Sequence, residues 1–384
     1  MEAIRTARNA MRKGVPRRPE RTRVKRRGFL IILLALLAGF APVDAGLIER
    51  WYSTGVYPFI QRLLTTVSNL VPFALLDILI VATLCVAAAS LIRSLLQARR
   101  ARKWKPVFVT MARLTTAMAA IYLVFLTVWG LNYRRISMTE RLVLERGTSR
   151  AAIMELGRTA VERLNALHAA AHAEGWRTSP WRERRMREAY ESVLASLSDA
   201  GPAVPGRLKS SLLGPYFRWT SVDGMINPFG LEAIANPDLL PFEQPFVAAH
   251  EWAHLAGYAD ESEASFIGFL TCVRAATPAA YSGWLFLYWQ INSEVSADDR
   301  RTLASGIAEG PRRDLAAIAE RLRRGQVPML RDAGWKVYDQ YLKANRIEEG
   351  VQNYGLVLTL LTRARFEGNW VPVRRVARVS RLIP

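Results

Sequence analysis

Pro245-Phe246-Val247-Ala248-Ala249-His250-Glu251-Trp252-Ala253-His254-Leu255-Ala256-Gly257 is the stretch on which this chain turns. Pro245 suits the first turn of a helix, where a missing amide costs nothing, and Gly257 suits a left-handed stop. The helix expected between them, Phe246 to Ala256, sets His250 and His254 on one face, because residues four apart are neighbours there. Two imidazoles so placed can bind one zinc ion (Zn2+) from the same side. Glu251 is close enough to take a proton from a water the metal acidifies. That is the equipment of a zinc hydrolase. Two of the four histidines in the chain sit here.

A catalytic zinc takes three protein ligands and keeps one position open. A second helix, expected from about Asp260 to Ala275, offers three acids for the third place. Glu261 is preferred, then Glu263, then Asp260. Glu261 shares a face with Ser265, Gly268 and Cys272, small residues that admit a neighbouring helix. It also begins Glu-x-x-Ala-Ser, a pattern similar to that of glutamate-zinc peptidases. Glu263 lies among Phe266, Ile267 and Leu270, where a carboxylate needs a cation. Asp260 stands where peptidases of the His-Glu-x-x-His-x-x-Gly-x-x-Asp type carry their acid.

Upstream, Tyr216 to Pro245 is rich in turn signals: Asp223-Gly224, Asn227-Pro228 and Asn236-Pro237. A small sheet or irregular strand pair is expected there, either an edge that an extended substrate could join or a plain structural hairpin. Gly201 to Gly206 has the composition of a linker, and Thr148 to Ser198 has helical periodicity. Within the latter, His168 and His172 repeat the four-residue spacing. No acid follows the first and no third ligand stands nearby in sequence, so a solvated helix face is expected. Trp284 to Trp289 is aromatic-rich but too short to span, and is assigned to the core.

The chain before position 134 belongs to a membrane protein. Three apolar runs, taken as helices over about 29–48, 73–92 and 107–131, follow a basic arm, 1–28. The first run, with Val43-Asp44-Ala45 behind it, has a cleaved signal peptide as its rival; 28 residues ahead of the apolar core is long for a signal. Asp77 is placed at the interface, and Arg113 is close enough to an end to snorkel. The arm carries eleven Lys/Arg against two Glu, and Arg93 to Lys105 carries six Lys/Arg and no acid. Together they supply +15 of the formal +20. Charge at membrane boundaries predicts a cytoplasmic arm and second loop, and an extracytoplasmic domain over 134–384. It argues against nucleic acid as a partner. Cys85 and Cys272 fall in different regions, so no disulfide is expected between them.

Several motifs together resemble a known bacterial membrane family. They are Trp129-Gly130-Leu131-Asn132-Tyr133, Gly224 to Phe229 with Glu232-Ala233 and Asn236, and Pro245-Phe246 leading into His250 to His254. Gly257-Tyr258, Glu261, Glu263-Ala264 and Phe266 continue the likeness, as do Tyr338 to Asn345, Glu349-Gly350-Val351 and Tyr354-Gly355. The family is the one catalogued as domain of unknown function 3810. The resemblance implies a multi-pass protein with a zincin-like outer domain and no settled substrate. Ser265, where Asn is usual, and Asn227-Pro228-Phe229-Gly230, where Thr would precede the Gly, depart from the pattern; neither is expected to touch the proposed metal ligands.

The expected fold is therefore mainly α: about three transmembrane helices, then a predominantly helical zincin-like extracytoplasmic domain with a small β element. The expected activity is peptide hydrolysis with zinc on His250, His254 and Glu261 and Glu251 as base. Tyr338, Tyr341 and Tyr354 are candidate donors to a developing oxyanion, weighed against ordinary packing. The alternative is a zinc-binding envelope module without catalysis. A transporter, suggested by Asp77 and Arg113, is the weakest alternative. The lipid bilayer is the one expected partner; substrate and oligomeric state stay open.

Overall fold

Residues 19–145, 147–176 and 180–375 are described by a computed structural model. The first eighteen residues of the basic arm and the side chain of Tyr354 lie outside the described residues. The chain divides into two compact units: residues up to Pro42 with Val81–Leu126, and Val43–Ile80 with the chain from Thr127 onward.

Four helices open the chain: α1 (Pro19–Phe40), α2 (Ala45–Asn69, π-wound from Ile48 to Val56), α3 (Leu75–Ala101) and α4 (Lys105–Val128). α3 and α4 are long and apolar enough to cross a membrane, and a third span exists if the bent pair α1–α2 counts as one. The apolar windows of α3 and α4 are 6% and 0% buried, so their side chains face outward all round, as a lipid-facing helix requires.

The apolar run from Phe29 does not continue as one helix to Ile48. α1 ends at Phe40, and a separate helix starts after Asp44, which caps α2 by accepting from the Leu47 amide at 3.0 Å. Pro42 explains the break, since it has no amide and disfavours a helical residue before it. The stretch after it is not a simple loop either. α2 buries Tyr57, Gln61, Thr65 and Ser68. Tyr57 donates to the Leu255 carbonyl, Gln61 to that of Val204 and Thr65 to that of Leu231. Its outer face is the apolar one, with Phe59, Leu63 and Val67 exposed. The helical period is present in the sequence, but the polar stripe is the one that packs inward, the reverse of an ordinary soluble helix.

The rest of the second unit is helical around one core: α5 (Met138–Arg141), α6 (Arg150–Glu174), α7 (Pro180–Leu197), α8 (Gly214–Thr220), α9 (Gln244–Leu255), α10 (Glu261–Arg274), α11 (Thr277–Glu294), α12 (Ala297–Ser305), α13 (Glu309–Gly325), α14 (Pro328–Ala344) and α15 (Leu356–Arg363). α10 is central; every residue from Glu261 to Cys272 is buried. A Cβ on Gly268 would sit 3.2 Å from the His250 amide nitrogen, so glycine lets α9 and α10 meet backbone to backbone. α11 carries the aromatic run, with Trp284 and Tyr288 buried and Phe286 stacked on Phe246 at 3.7 Å. Ala203 to Gly206 is no free linker: Gln61 pairs with both backbone groups of Val204, and Gly206 accepts from the Trp252 indole.

β1 (Leu208–Lys209), β2 (Gly224–Asn227) and β3 (Glu232–Ala235) form a sheet ordered β1-β3-β2, with β2 antiparallel to β3 and Ile226 opposite Ala233. β4 (Phe366–Glu367) pairs with β5 (Val371–Pro372). Lys209 and Glu232, both fully buried, pair at 2.7 Å. Glu232 also accepts from the Leu75 and Leu76 amides, the first turn of α3, where a carboxylate offsets unpaired donors. Asp77 likewise accepts from the Ser211 hydroxyl and the Leu212 amide. Cys85 and Cys272 are both free.

Candidate metal centre

Three aromatic donors fix the end of α9. Tyr190 donates to the Trp252 carbonyl at 2.6 Å, the Trp129 indole to that of His254 at 3.0 Å, and Tyr57 to that of Leu255 at 2.7 Å. These bonds land on the last-turn carbonyls, where those of Trp252 and His254 also accept from the Ala256 and Gly257 amides. Gly257, at φ 85°, completes a Schellman stop with Gly257 N to His254 O and Tyr258 N to Ala253 O. At the other end the Ser282 hydroxyl accepts from the Phe246 amide. The helix is held at both ends, and so are its histidines.

His250 Nε2 and His254 Nε2 lie 3.1 Å apart, and Glu261 Oε2 lies 3.2 Å and 3.3 Å from them. Tetrahedral zinc with bonds of about 2.0–2.1 Å spaces its ligand atoms by about 3.3 Å. His254 Nδ1 is 2.8 Å from the Tyr258 carbonyl oxygen. A carbonyl only accepts, so Nδ1 carries a proton, and in the neutral form of the ring the Nε2 lone pair turns inward. His250 Nδ1 faces the Ser265 hydroxyl at 3.3 Å. Glu261 Oε2 is buried with no hydrogen-bond partner, while Oε1 accepts from the Tyr338 hydroxyl. The donor set fits a divalent ion.

Electrostatics points the same way. Burial opposes charge on Glu261, but His254 and His250 outweigh it and hold the carboxyl well below its usual range. Burial also disfavours a charged His254, yet Glu261 lifts it to about 9, whereas burial pulls His250 down. One proton serves this triangle poorly; a dication serves all three groups.

The other two acids have separate partners. Asp260 caps α10 by accepting from the Ser262 and Glu263 amides, and Asn353 donates to its second oxygen. Glu263 accepts from the Met138 amide at the start of α5 and lies 4.0 Å from Arg141; burial, with Asp260 beside it, pushes its carboxyl up to about 7. Of the three, Glu261 is the one brought to the imidazoles. Ser265 does touch a candidate ligand, contrary to expectation, because it lies one turn beyond Glu261 on the buried face of α10. The other departure, Phe229 ahead of Gly230, lies in the β2–β3 turn, where Asn227 accepts from the Phe229 amide and donates to Glu232.

Glu251 is 2% exposed, and burial pushes its carboxyl up to about 8. A Cβ on Gly224 would lie 2.5 Å from its Oε1, so β2 needs glycine at that point. The hairpin signal Asp223-Gly224 did not disclose this contact, because it is made to another element. Two cavities meet at Glu251. One, of 370 Å³, is lined by Trp129, Tyr133, Met225, Ile226, Tyr338 and Tyr341. The other, of 570 Å³, is lined by Phe286, Trp289 and Arg321 among others, and Arg321 is held by Asp223 and Glu243. Val222, Gly224, His250, Glu251 and Trp335 line both.

Residues 52–362 match the family described as "Protein of unknown function (DUF3810)". This chain belongs to the DUF3810 family. The DUF3810 match starts inside α2 and ends inside α15, so it takes in most of α2 together with every residue of the candidate centre. No curated protein and no solved structure matches the chain.

Proposed function

We propose that this DUF3810 protein is a membrane-anchored, zinc-dependent peptidase of zincin type, with Glu251 as general base. The observation that carries the proposal is the triangle of His250 Nε2, His254 Nε2 and Glu261 Oε2 beside an acid that opens onto two cavities. A zinc ion held there supplies Lewis acidity to a water and to a scissile carbonyl, and its charge favours ionised Glu251. Glu251 then takes the proton of the attacking water on its carboxylate and returns it to the leaving amine. Tyr338 orients Glu261 through its hydroxyl. β2 pairs on one side with β3 and lines the smaller cavity with Gly224 to Ile226. An extended peptide laid along its other side would gain main-chain hydrogen bonds with little demand on sequence. Glu251 lies beside that line.

The orientation follows from charge. The arm and the Arg93–Lys105 loop are cytoplasmic, and α1, α3 and α4 cross. Residues 43–80 and 127–384 are then extracytoplasmic. Those same two segments form one compact unit, which supports the assignment.

The test is zinc stoichiometry and peptide-library cleavage by the detergent-purified chain, with His250→Ala and Glu251→Gln alongside. The proposal expects cleavage that stops in both variants while Glu251→Gln keeps its zinc. Zinc without cleavage, and a Glu251→Gln variant with no phenotype, would favour the non-catalytic module.

A further inference from the structure

The expectation of a solvated face at His168 and His172 fails in the fold. α13 brings Asp314 to them, though it lies more than 140 residues away in sequence. Asp314 Oδ2 is 2.8 Å from His172 Nε2 and 3.6 Å from His168 Nε2. Those values bracket the spacing of about 3.3 Å between the ligand atoms of a tetrahedral ion with bonds of about 2.0–2.1 Å. Asp314 is 8% exposed, and the Tyr281 hydroxyl donates to the same oxygen at 2.6 Å. The rings of His168 and His172 are 4.3 Å apart. His172 is also in ring contact with Trp176, Phe242 and Tyr281.

We infer that His168, His172 and Asp314 form a second site for a zinc-class divalent ion, clamping α6 to α13. Two imidazoles and one carboxylate from two helices make a borderline N2O donor set, the kind zinc takes. Tyr281 fixes the carboxylate by donating to the same Oδ2 that faces the imidazoles, as groups around metal ligands commonly do. His172 keeps an exposed edge, which leaves room for water as the fourth ligand. Gly310 carries a second mark of construction. A Cβ there would overlap the His168 ring, so only glycine in the first turn of α13 admits the imidazole at this position. No group with the proton-carrying place of Glu251 stands next to His168, whose neighbour is Ala169. The site is therefore structural: by joining segments far apart in sequence, a bound ion stabilises the folded unit.

The experiment uses the full chain in detergent, stripped with chelator, reloaded with zinc, dialysed and measured by elemental analysis. Wild type should hold two zinc ions, His250→Ala/His254→Ala one, and His168→Ala/His172→Ala one. If wild type holds a single ion that persists in the first double variant and disappears in the second, the α6 site stands and the α9 site falls. A second double variant that retains the full wild-type stoichiometry overturns the inference. Should that variant fail to fold, the His250→Ala/His254→Ala chain answers alone. Zinc should raise its Tm by several degrees and cobalt should give it visible absorption bands; absence of both overturns the second site.

Discussion

His250 and His254 on α9, and His168 and His172 on α6, are built from the same parts. Each pair has four-residue spacing, one carboxylate from another helix, and one tyrosine hydroxyl on that carboxylate: Tyr338 on Glu261, Tyr281 on Asp314. Their surroundings differ. In the α9 pair His254 is buried and His250 half-buried, and the pair has Glu251 as its neighbour and opens on two cavities. The α6 pair lies at the surface edge, walled by aromatic rings, with no acid next to either histidine. On the proposed readings the ligand triangle is what the two pairs share; a proton carrier and room for a substrate are what would separate catalysis from clamping.

One buried core cluster includes residues from both helices, so a global loss of stability should not tell the pairs apart. Lys209→Met, which strands the Glu232 carboxylate in the interior, should cost about 3–5 kcal/mol in urea unfolding and leave both sites filled below the transition. Loss of one zinc only would break the idea of a shared foundation. The same pair sets a pH dependence. Burial opposes charge on Glu232, but Lys209, Asn227 and the Leu75 and Leu76 amides outweigh it, so its folded pKa is lowered. Its contribution is full above the unfolded value of about 4.3 and is lost as pH falls through the folded one. Wild type should therefore lose Tm below about pH 4.3 more steeply than Lys209→Met/Glu232→Leu.

Glu251→Gln should sharpen the comparison most directly. Removing a general base costs roughly 10²–10⁴-fold in rate, and zinc at both pairs should be untouched. The glycines come next. Gly224→Val drives a side chain into Glu251 and should lower kcat roughly 100-fold, as small misplacements of a catalytic group do. Gly310→Val should instead evict the His168 ring, weakening zinc at the α6 pair by a comparable factor and leaving cleavage unchanged. A common effect of both glycine variants on both sites would erase the distinction.

How legible these pairs were differs for the same physical reason. The α9 centre is local: His250, Glu251 and His254 share three turns of helix, and Glu261 follows within eleven residues of His250, so spacing and face argument reach it. The α6 site is closed by Asp314, across a contact no periodicity announces. α2 has a helical period, but the period does not say what its inward face meets, since its partners are backbone carbonyls of remote segments. Ser265 was misjudged by one turn of helix. The apolar runs of α3 and α4 were legible throughout, since lipid-facing helices need no partner to be recognised.

The smallest expected effect tests whether the two tyrosines do the same work. Each donates one hydrogen bond to a carboxylate that also faces two imidazoles. Loss of such an orienting group commonly weakens metal binding 10–100-fold, and the lower end, about tenfold, fits a single neutral donor. Tyr281→Phe should weaken zinc at the α6 pair alone, and Tyr338→Phe at the α9 pair alone, when titrated against a competing chelator. Tyr338 also lines the smaller cavity, so its variant should change KM as well. An effect of Tyr338→Phe on KM with zinc affinity intact would reassign its hydroxyl from the carboxylate to the substrate. The symmetry between the pairs would then extend to their ligands but not to the groups behind them.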